Sequence, residues 1–242
     1  MAILRMATEG DPRLDPYLRL TDRQLRSLRD ELEARCVLES LNVIELAVGE
    51  GLELESVLVD ERHLGTLLGR VPQLEEAGLP IYCCDRELLQ DVTGISKSRG
   101  YLAVARRPRP LSAAEALRGA CRVAVLESLV DITNVGALFR SAAALGVDAM
   151  LLSPSCADPL NRRAIRVSMG TVFKLPWAVA EGDWPGDAFD VLRSEGFHVT
   201  GMALVEGALR LDDTSLKEHS RLALAFGSEG WGLSSEALAA CD

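Results

Sequence analysis

Apolar positions along this chain recur with two different periods. Short runs rich in Val, Leu, Ile and Ala occur at Arg35–Glu39, Glu55–Asp60, Leu79–Cys84 and Tyr101–Arg106. Each has strand length and is bounded by polar or turn-forming residues. Between them lie stretches with helical spacing. One starts at Thr21, a good cap, where Leu25, Leu28 and Leu32 follow; others cover Asn42–Glu50, His63–Gly69 and Arg86–Val92, the last closed by Gly94. The pattern predicts a small α/β domain over residues 1–107, with residues 1–20 as an irregular lead-in. Pro108-Arg109-Pro110 breaks the alternation and opens a linker over 108–120, in which Leu111–Gly119 reads as a short helix. A second series fills 121–242. Its strands are Arg122–Glu127, Ala149–Ser153, Val199–Leu204 and Leu222–Phe226; its helices are 135–145, around 159–168, 187–195 and from Ser234 onward. Strands alternating with helices predict a mostly parallel sheet covered on both faces.

Composition changes this picture little. The 242 residues are 48% hydrophobic and 26% charged, an ordinary globular balance. No apolar run is long enough to span a bilayer, and the N-terminus lacks a signal-peptide core, which predicts a cytoplasmic protein. The six cysteines form no C-x-x-C pair and read as reduced and mostly buried. The three histidines are far apart and nothing has metal-ligand spacing, so no metal is expected.

Charge is more informative. A net charge of −10 argues against an indiscriminate nucleic-acid binder. Two stretches nevertheless carry only positive charge: Lys97, Arg99, Arg106, Arg107 and Arg109 in the first, and Arg162, Arg163, Arg166 and Lys174 in the second. Either alone reads as a solvated face. Both together in an acidic chain point to a phosphate-rich partner.

Two loops carry the candidate chemistry. After the strand at 122–127 come a polar turn, Asp131-Ile132-Thr133-Asn134, and a small-residue helix stopped by Gly146. Asn134 is placed to cap that helix, and Arg140, nearly two turns along, carries a permanent charge. Singly these residues have bland readings: a cap for Asn134, close helix packing for Gly136, a surface ion pair for Arg140. After the strand at 222–226 comes Gly227-Ser228-Glu229-Gly230-Trp231-Gly232, in which three glycines allow backbone amides to approach a ligand. Glu229 is there an acceptor for a ribose hydroxyl or a partner for an arginine; the bland reading is a plain turn. The run is neither a P-loop nor a dinucleotide fingerprint.

Three segments together resemble the SpoU (TrmH-type) family of SPOUT RNA 2′-O-ribose methyltransferases: Asn134-Val-Gly136-Ala-Leu-Phe-Arg140 running to Gly146, Arg163-Ala-Ile-Arg166-Val-Ser168-Met-Gly170 running to Pro176, and Phe226-Gly227-Ser228-Glu229-Gly230-Trp231-Gly232-Leu233. The first half resembles the ribosomal-protein-like substrate-binding domain of many members, with Ser40 where that domain often has glycine. The resemblance implies an α/β trefoil-knot methyltransferase domain over 121–242 behind a small α/β RNA substrate-binding domain, homodimers, and transfer of a methyl group from S-adenosylmethionine to a ribose of RNA, ribosomal RNA ahead of transfer RNA. It implies Asn134, Arg140 and Glu229 as catalytic residues and Leu204, Gly227, Glu229 and Gly230 as cofactor contacts. The two positive stretches, with Arg140, place RNA at Arg106, Arg107, Arg140, Arg163 and Arg166. The family's third motif, a Pro-containing turn, a Ser-Leu-Asn-rich segment and a last helix, has no counterpart before Asp242, so a protein ending there is expected to leave the knot incomplete and to be inactive. Two other readings stay open: an RNA- or ribosome-binding module without activity, and a small-molecule α/β enzyme.

Overall fold

The computed structural model describes residues 2–18, 35–95, 99–210 and 212–242. The helix expected from Thr21, and Lys97, lie outside these residues. The first half runs β1 (Ala2–Arg5), β2 (Arg35–Glu39), α1 (Leu41–Gly49), β3 (Leu54–Asp60), α2 (Leu64–Arg70), α3 (Gln73–Glu76), β4 (Pro80–Cys84), α4 (Arg86–Thr93) and β5 (Tyr101–Arg106). The second half runs α5 (Ala113–Ala116), β6 (Arg122–Leu126), α6 (Ile132–Leu145), β7 (Ala149–Leu152), α7 (Arg162–Val167), β8 (Trp177–Val179), α8 (Gly186–Ser194), β9 (His198–Gly201), β10 (Leu222–Phe226) and α9 (Ser235–Ala239). Chain contacts gather into two units, Met1–Pro108 with Leu160–Phe173, and Arg109–Pro159 with Lys174–Asp242. The segment 160–173, which the sequence places in the second domain, is therefore part of the first unit.

In the first unit five strands form one sheet in the order β1-β4-β3-β5-β2. β1, β4 and β3 run parallel, while β5 is antiparallel to both β3 and β2. The lead-in expected over residues 1–20 is instead structured. β1 completes the sheet edge beside β4, and Pro12–Tyr17 forms a 3₁₀ turn that buries Leu14 and Tyr17 completely. The Tyr17 hydroxyl lies 2.7 Å from Ser56 Oγ, which satisfies a polar group inside the core. Burial pushes the Tyr17 hydroxyl well above the usual tyrosine range.

The segment 160–173 is held to β2 by a buried carboxylate. Glu39, 1% exposed, accepts from Arg162 at 2.6 Å and lies 3.4 Å from Arg166. Ser40, which follows, enters α1 with φ 98° and ψ 149°. That region of backbone space is almost confined to glycine, because a Cβ crowds its own peptide groups there. The residue type expected at this position from the resemblance is thus the one its backbone demands. Ser40→Gly is expected to stabilise the protein by about 1 kcal/mol, the lower end of the cost of such strain, and to raise Tm by about 2–4 °C. A denaturation midpoint unchanged or lowered in the glycine variant would show that the serine is unstrained.

In the second unit five strands, all parallel, lie in the order β8-β7-β6-β10-β9. The expected strand Val199–Leu204 is shorter, His198–Gly201, so Leu204 falls in the loop beyond it. β8, which the sequence pattern does not reveal, has only three residues, too few for a period to register. The apolar runs of β6 and β7 are buried as predicted, and in β10 Leu222, Ala223 and Ala225 are buried while Leu224 and Phe226 are half-buried. Phe189 and Leu192 of α8 pack with Val123, Val125, Leu151 and Ala225, and Phe139 of α6 meets Trp177 of β8 edge-on at 6.1 Å. The chain leaves β6 for β7 and β8 on one side and places β10 and β9 on the other. Strand order therefore reverses between β6 and β10, and a crevice opens outside their carboxyl ends.

Candidate active site at the switch point

Both candidate loops leave this switch point: the 127–131 turn follows β6, and the 227–233 turn follows β10. Asp131 caps α6, accepting from the backbone N–H groups of Thr133 at 2.6 Å and Asn134 at 3.4 Å. This corrects the expectation that Asn134 is the cap. The helix starts three residues earlier than the small-residue pattern suggests, and Asn134 sits inside its first turn. Its side chain is thereby free to reach across the crevice, where Nδ2 donates to Glu229 Oε1. Gly146, in the left-handed conformation, ends the helix as expected.

The 227–233 turn is tightly built. Ser228 and Gly232 exchange backbone hydrogen bonds of 3.0 and 2.9 Å, and Trp231 N–H donates to Ser228 Oγ at 3.3 Å. A Cβ on Gly227 would stand 1.9 Å from the carbonyl carbon of Gly232 and 2.1 Å from its oxygen. No side chain fits there, because the displaced atoms would be backbone. The glycine is thus needed for close packing of the turn against itself.

Glu127 ties the two loops from below. It is 4% exposed, and its carboxylate accepts from Trp184 Nε1 at 2.6 Å and from the Ser234 N–H and hydroxyl at 2.7 Å each. Ser234 is also the cap of α9, accepting from Ala237 N–H. In the sequence Glu127 reads only as the end of a strand. The one signal that could have marked it is a carboxylate directly after four buried apolar residues, a position where a charge needs partners.

Arg140 is exposed, and its side chain has no hydrogen-bond or ion-pair partner among the described residues. Glu229 is bonded to Asn134 rather than to Arg140, so the alternative in which the carboxylate fixes the arginine is not realised. Leu204 stands fully exposed in the loop after β9. It lines a cavity of about 930 Å³ shared with Thr200, Gly201, Met202, Leu238 and Cys241. Gly227, Glu229 and Gly230 do not line this cavity; they lie in the turn after β10.

The remaining basic residues belong to the first unit. Arg106 is exposed and 3.4 Å from Glu55, which also binds Arg35 at 2.6 Å. Arg107 is half-buried. Arg163 is exposed, with no side-chain partner among the described residues, while Arg166 shares Glu39 with Arg162.

All six cysteines are free, and three are buried rather than most of them: Cys36, Cys83 and Cys84. Burial pushes the Cys84 thiol up to about 12 and raises Cys83 and Cys241 as well, so these thiols stay neutral near pH 7. Among the described residues no group of three His, Cys, Asp or Glu is arranged to hold a metal, and no helix is long and apolar enough to cross a membrane.

The model of the SpoU rRNA Methylase family matches residues 122–242. An uncharacterised tRNA/rRNA methyltransferase of Mycobacterium bovis is 36% identical over 233 residues, covering 96% of this chain and 79% of that protein. The 23S rRNA (guanosine(2553)-2′-O)-methyltransferase RlmP of Bacillus subtilis is 28% identical, over 85% of this chain and 76% of that protein. The AdoMet-bound rRNA methyltransferase of Sinorhizobium meliloti superposes with a TM-score of 0.78 at 19% identity, covering 99% of this chain and 86% of that one, a likeness of fold.

Proposed function

This chain belongs to the SpoU rRNA methylase family, and we propose that it methylates a ribose 2′-hydroxyl of ribosomal RNA, with S-adenosylmethionine as methyl donor. The observation that carries the reading is the Asn134–Glu229 hydrogen bond across the crevice, with Arg140, unpaired among the described residues, on the same helix as Asn134. Two loops far apart in sequence meet through polar side chains at the point where parallel α/β sheets place ligands. The 2′-hydroxyl as target, rather than a base, is favoured by the name of the Bacillus subtilis relative.

The residues fit the cofactor. Among the described residues Thr200 Oγ1 is buried without a hydrogen-bond partner, and Thr200 lines the cavity beside β9, whose walls are otherwise largely apolar. An orphaned hydroxyl costs free energy unless a ligand supplies its partner. The volume lies within the usual range of about 300–1,000 Å³ for small-molecule sites. Thr200 and Leu204 would hold the cofactor from the β9 side, with Gly227, Glu229 and Gly230 presenting backbone and carboxylate from the turn after β10. When bound, the cofactor supplies a methyl group already activated by its sulfonium.

The protein's share is then placement and charge. A guanidinium stays protonated and offers only donors, so Arg140 is not the base. It clamps the phosphate beside the target ribose and stabilises the developing alkoxide. Asn134, its amide N–H committed to Glu229, presents its carbonyl oxygen as an acceptor for the ribose hydroxyl. With the cofactor bound, the hydroxyl proton would pass to the Glu229 carboxylate of the Asn134–Glu229 pair or to water. Arg106, Arg107, Arg163 and Arg166 contact the RNA backbone, and the first unit, with its mixed sheet, serves as the RNA-binding domain. The active form is a homodimer.

The test uses labelled methyl donor with ribosomal RNA and, separately, transfer RNA. The expected product is label in a ribosomal RNA nucleotide whose 3′ linkage resists alkaline hydrolysis, the signature of a blocked 2′-oxygen. Label only in transfer RNA would replace the substrate class. Label in a base, or none in any RNA, would overturn the reading.

A further inference from the structure

Trp231 is not used by the chemistry above, and its setting is unusual. Its side chain is 94% exposed, while Trp177 and Trp184 are both packed against phenylalanines. Large aromatic side chains are normally buried because each covers a large apolar area. The exposure does not come from a loose loop. The turn beneath Trp231 is closed by the two Ser228–Gly232 backbone bonds, by the Trp231 N–H to Ser228 Oγ, and by Glu229 held to Asn134. The missing Cβ at Gly227 lets the two ends of that turn close directly on each other. An indole is therefore presented to solvent from a rigid base, two residues from the carboxylate of the candidate active site.

Two other ligands fit poorly. Trp231 is 94% exposed and so encloses no small ligand, whereas the walls of a small-molecule site bury most of what they hold. The turn carries no cation, and its one charged group is the Glu229 carboxylate, so it does not attract a phosphate. What suits an exposed, neutral π-face on a rigid support, beside an acceptor pair for a ribose hydroxyl, is the face of an unstacked nucleobase. Single-stranded RNA is commonly recognised this way, with bases splayed out and stacked on aromatic side chains.

We propose that Trp231 is a stacking platform for an unpaired base at or next to the methylated nucleotide. The proposal rests on the reading of this site as an RNA methyltransferase and names one of its RNA contacts. Because stacking is sequence-tolerant and uncharged, this contact adds affinity and orientation without adding to the salt dependence of binding.

The experiment measures binding of a single-stranded oligoribonucleotide to the full chain and to W231A and W231F, with cofactor titration and sedimentation run on each. Loss of one stacked base is expected to weaken W231A about 5- to 100-fold, with W231F recovering most of it. The slope of log K against log salt should stay that of the unsubstituted protein. Quenching of indole fluorescence by the oligonucleotide should vanish in W231F, because the remaining Trp177 and Trp184 are packed against phenylalanines. Equal RNA affinity in W231A and the unsubstituted protein would overturn the proposal. So would a change in cofactor affinity or in oligomeric state without a change in RNA affinity, the latter assigning the indole to a contact between copies. Failure of the unsubstituted protein to methylate any RNA would instead count against the reading of the site, and the binding measurement does not depend on turnover.

Discussion

Arg140→Ala is expected to lower methyl transfer by about 100- to 1000-fold, the effect of removing one preorganised charge from a developing oxyanion. Cofactor affinity should stay unchanged, because Arg140 does not line the cavity beside β9. The reason lies in its environment. An exposed guanidinium on α6 with no partner among the described residues has its five donors available for substrate. Substitution therefore strands no protein group, and a stability change beyond about 0.5 kcal/mol is not expected for such a surface position. Arg140→Lys separates charge from geometry. An ammonium keeps the charge but cannot grip a phosphate through two parallel donors. Single-turnover rates with saturating RNA and cofactor decide the matter. A lysine variant with near-normal turnover would show that charge suffices and that the clamp is the wrong description.

Glu127→Ala should cost the most stability, about 3–5 kcal/mol. The carboxylate accepts three hydrogen bonds in a place water does not reach, and the methyl group of alanine accepts none. The indole N–H of Trp184 and the N–H and hydroxyl of Ser234 would all lose their partner, each at a desolvation cost of about 1–3 kcal/mol, partly recovered by relaxation. Glu127→Gln is the finer probe. Its carbonyl can serve one side of the site, but its NH₂ then faces an N–H donor on the other, so roughly half the loss should remain. Function should suffer with stability, since Ser234 anchors the far end of the turn that carries Glu229. Chemical denaturation gives the stability change, and hydrogen exchange at amides 227–234 shows whether the turn loosens first. An alanine variant with an unshifted midpoint would mean that Glu127 is not the anchor of that turn.

The motif residues and most elements were legible because they rest on local rules. The strands at 35–39, 54–60, 80–84, 101–106, 122–126, 149–152 and 222–226 are apolar runs whose composition suits a buried sheet. Helix ends followed from nearby residues, Gly94 and Gly146, which stand just beyond the last turns.

What the sequence left undetermined depends on partners distant along the chain. Ala2–Arg5 has too few residues to declare itself and becomes a strand only because β4 offers an unpaired edge. Asn134 has the chemistry of a cap, and Asp131 outcompetes it; the amide then turns to Glu229, 95 positions away. Arg162 and Arg166 read as parts of a positive stretch, yet both face the buried Glu39, 123 positions from Arg162. Glu127 reads as the end of a strand until Trp184 and Ser234 close on it, 57 and 107 positions away. Periodicity and turn chemistry are properties of a few neighbouring residues, so the sequence alone sets them. The pairing of a buried carboxylate or amide depends on which distant groups the packed sheet brings within about 3 Å, and only the tertiary structure decides that.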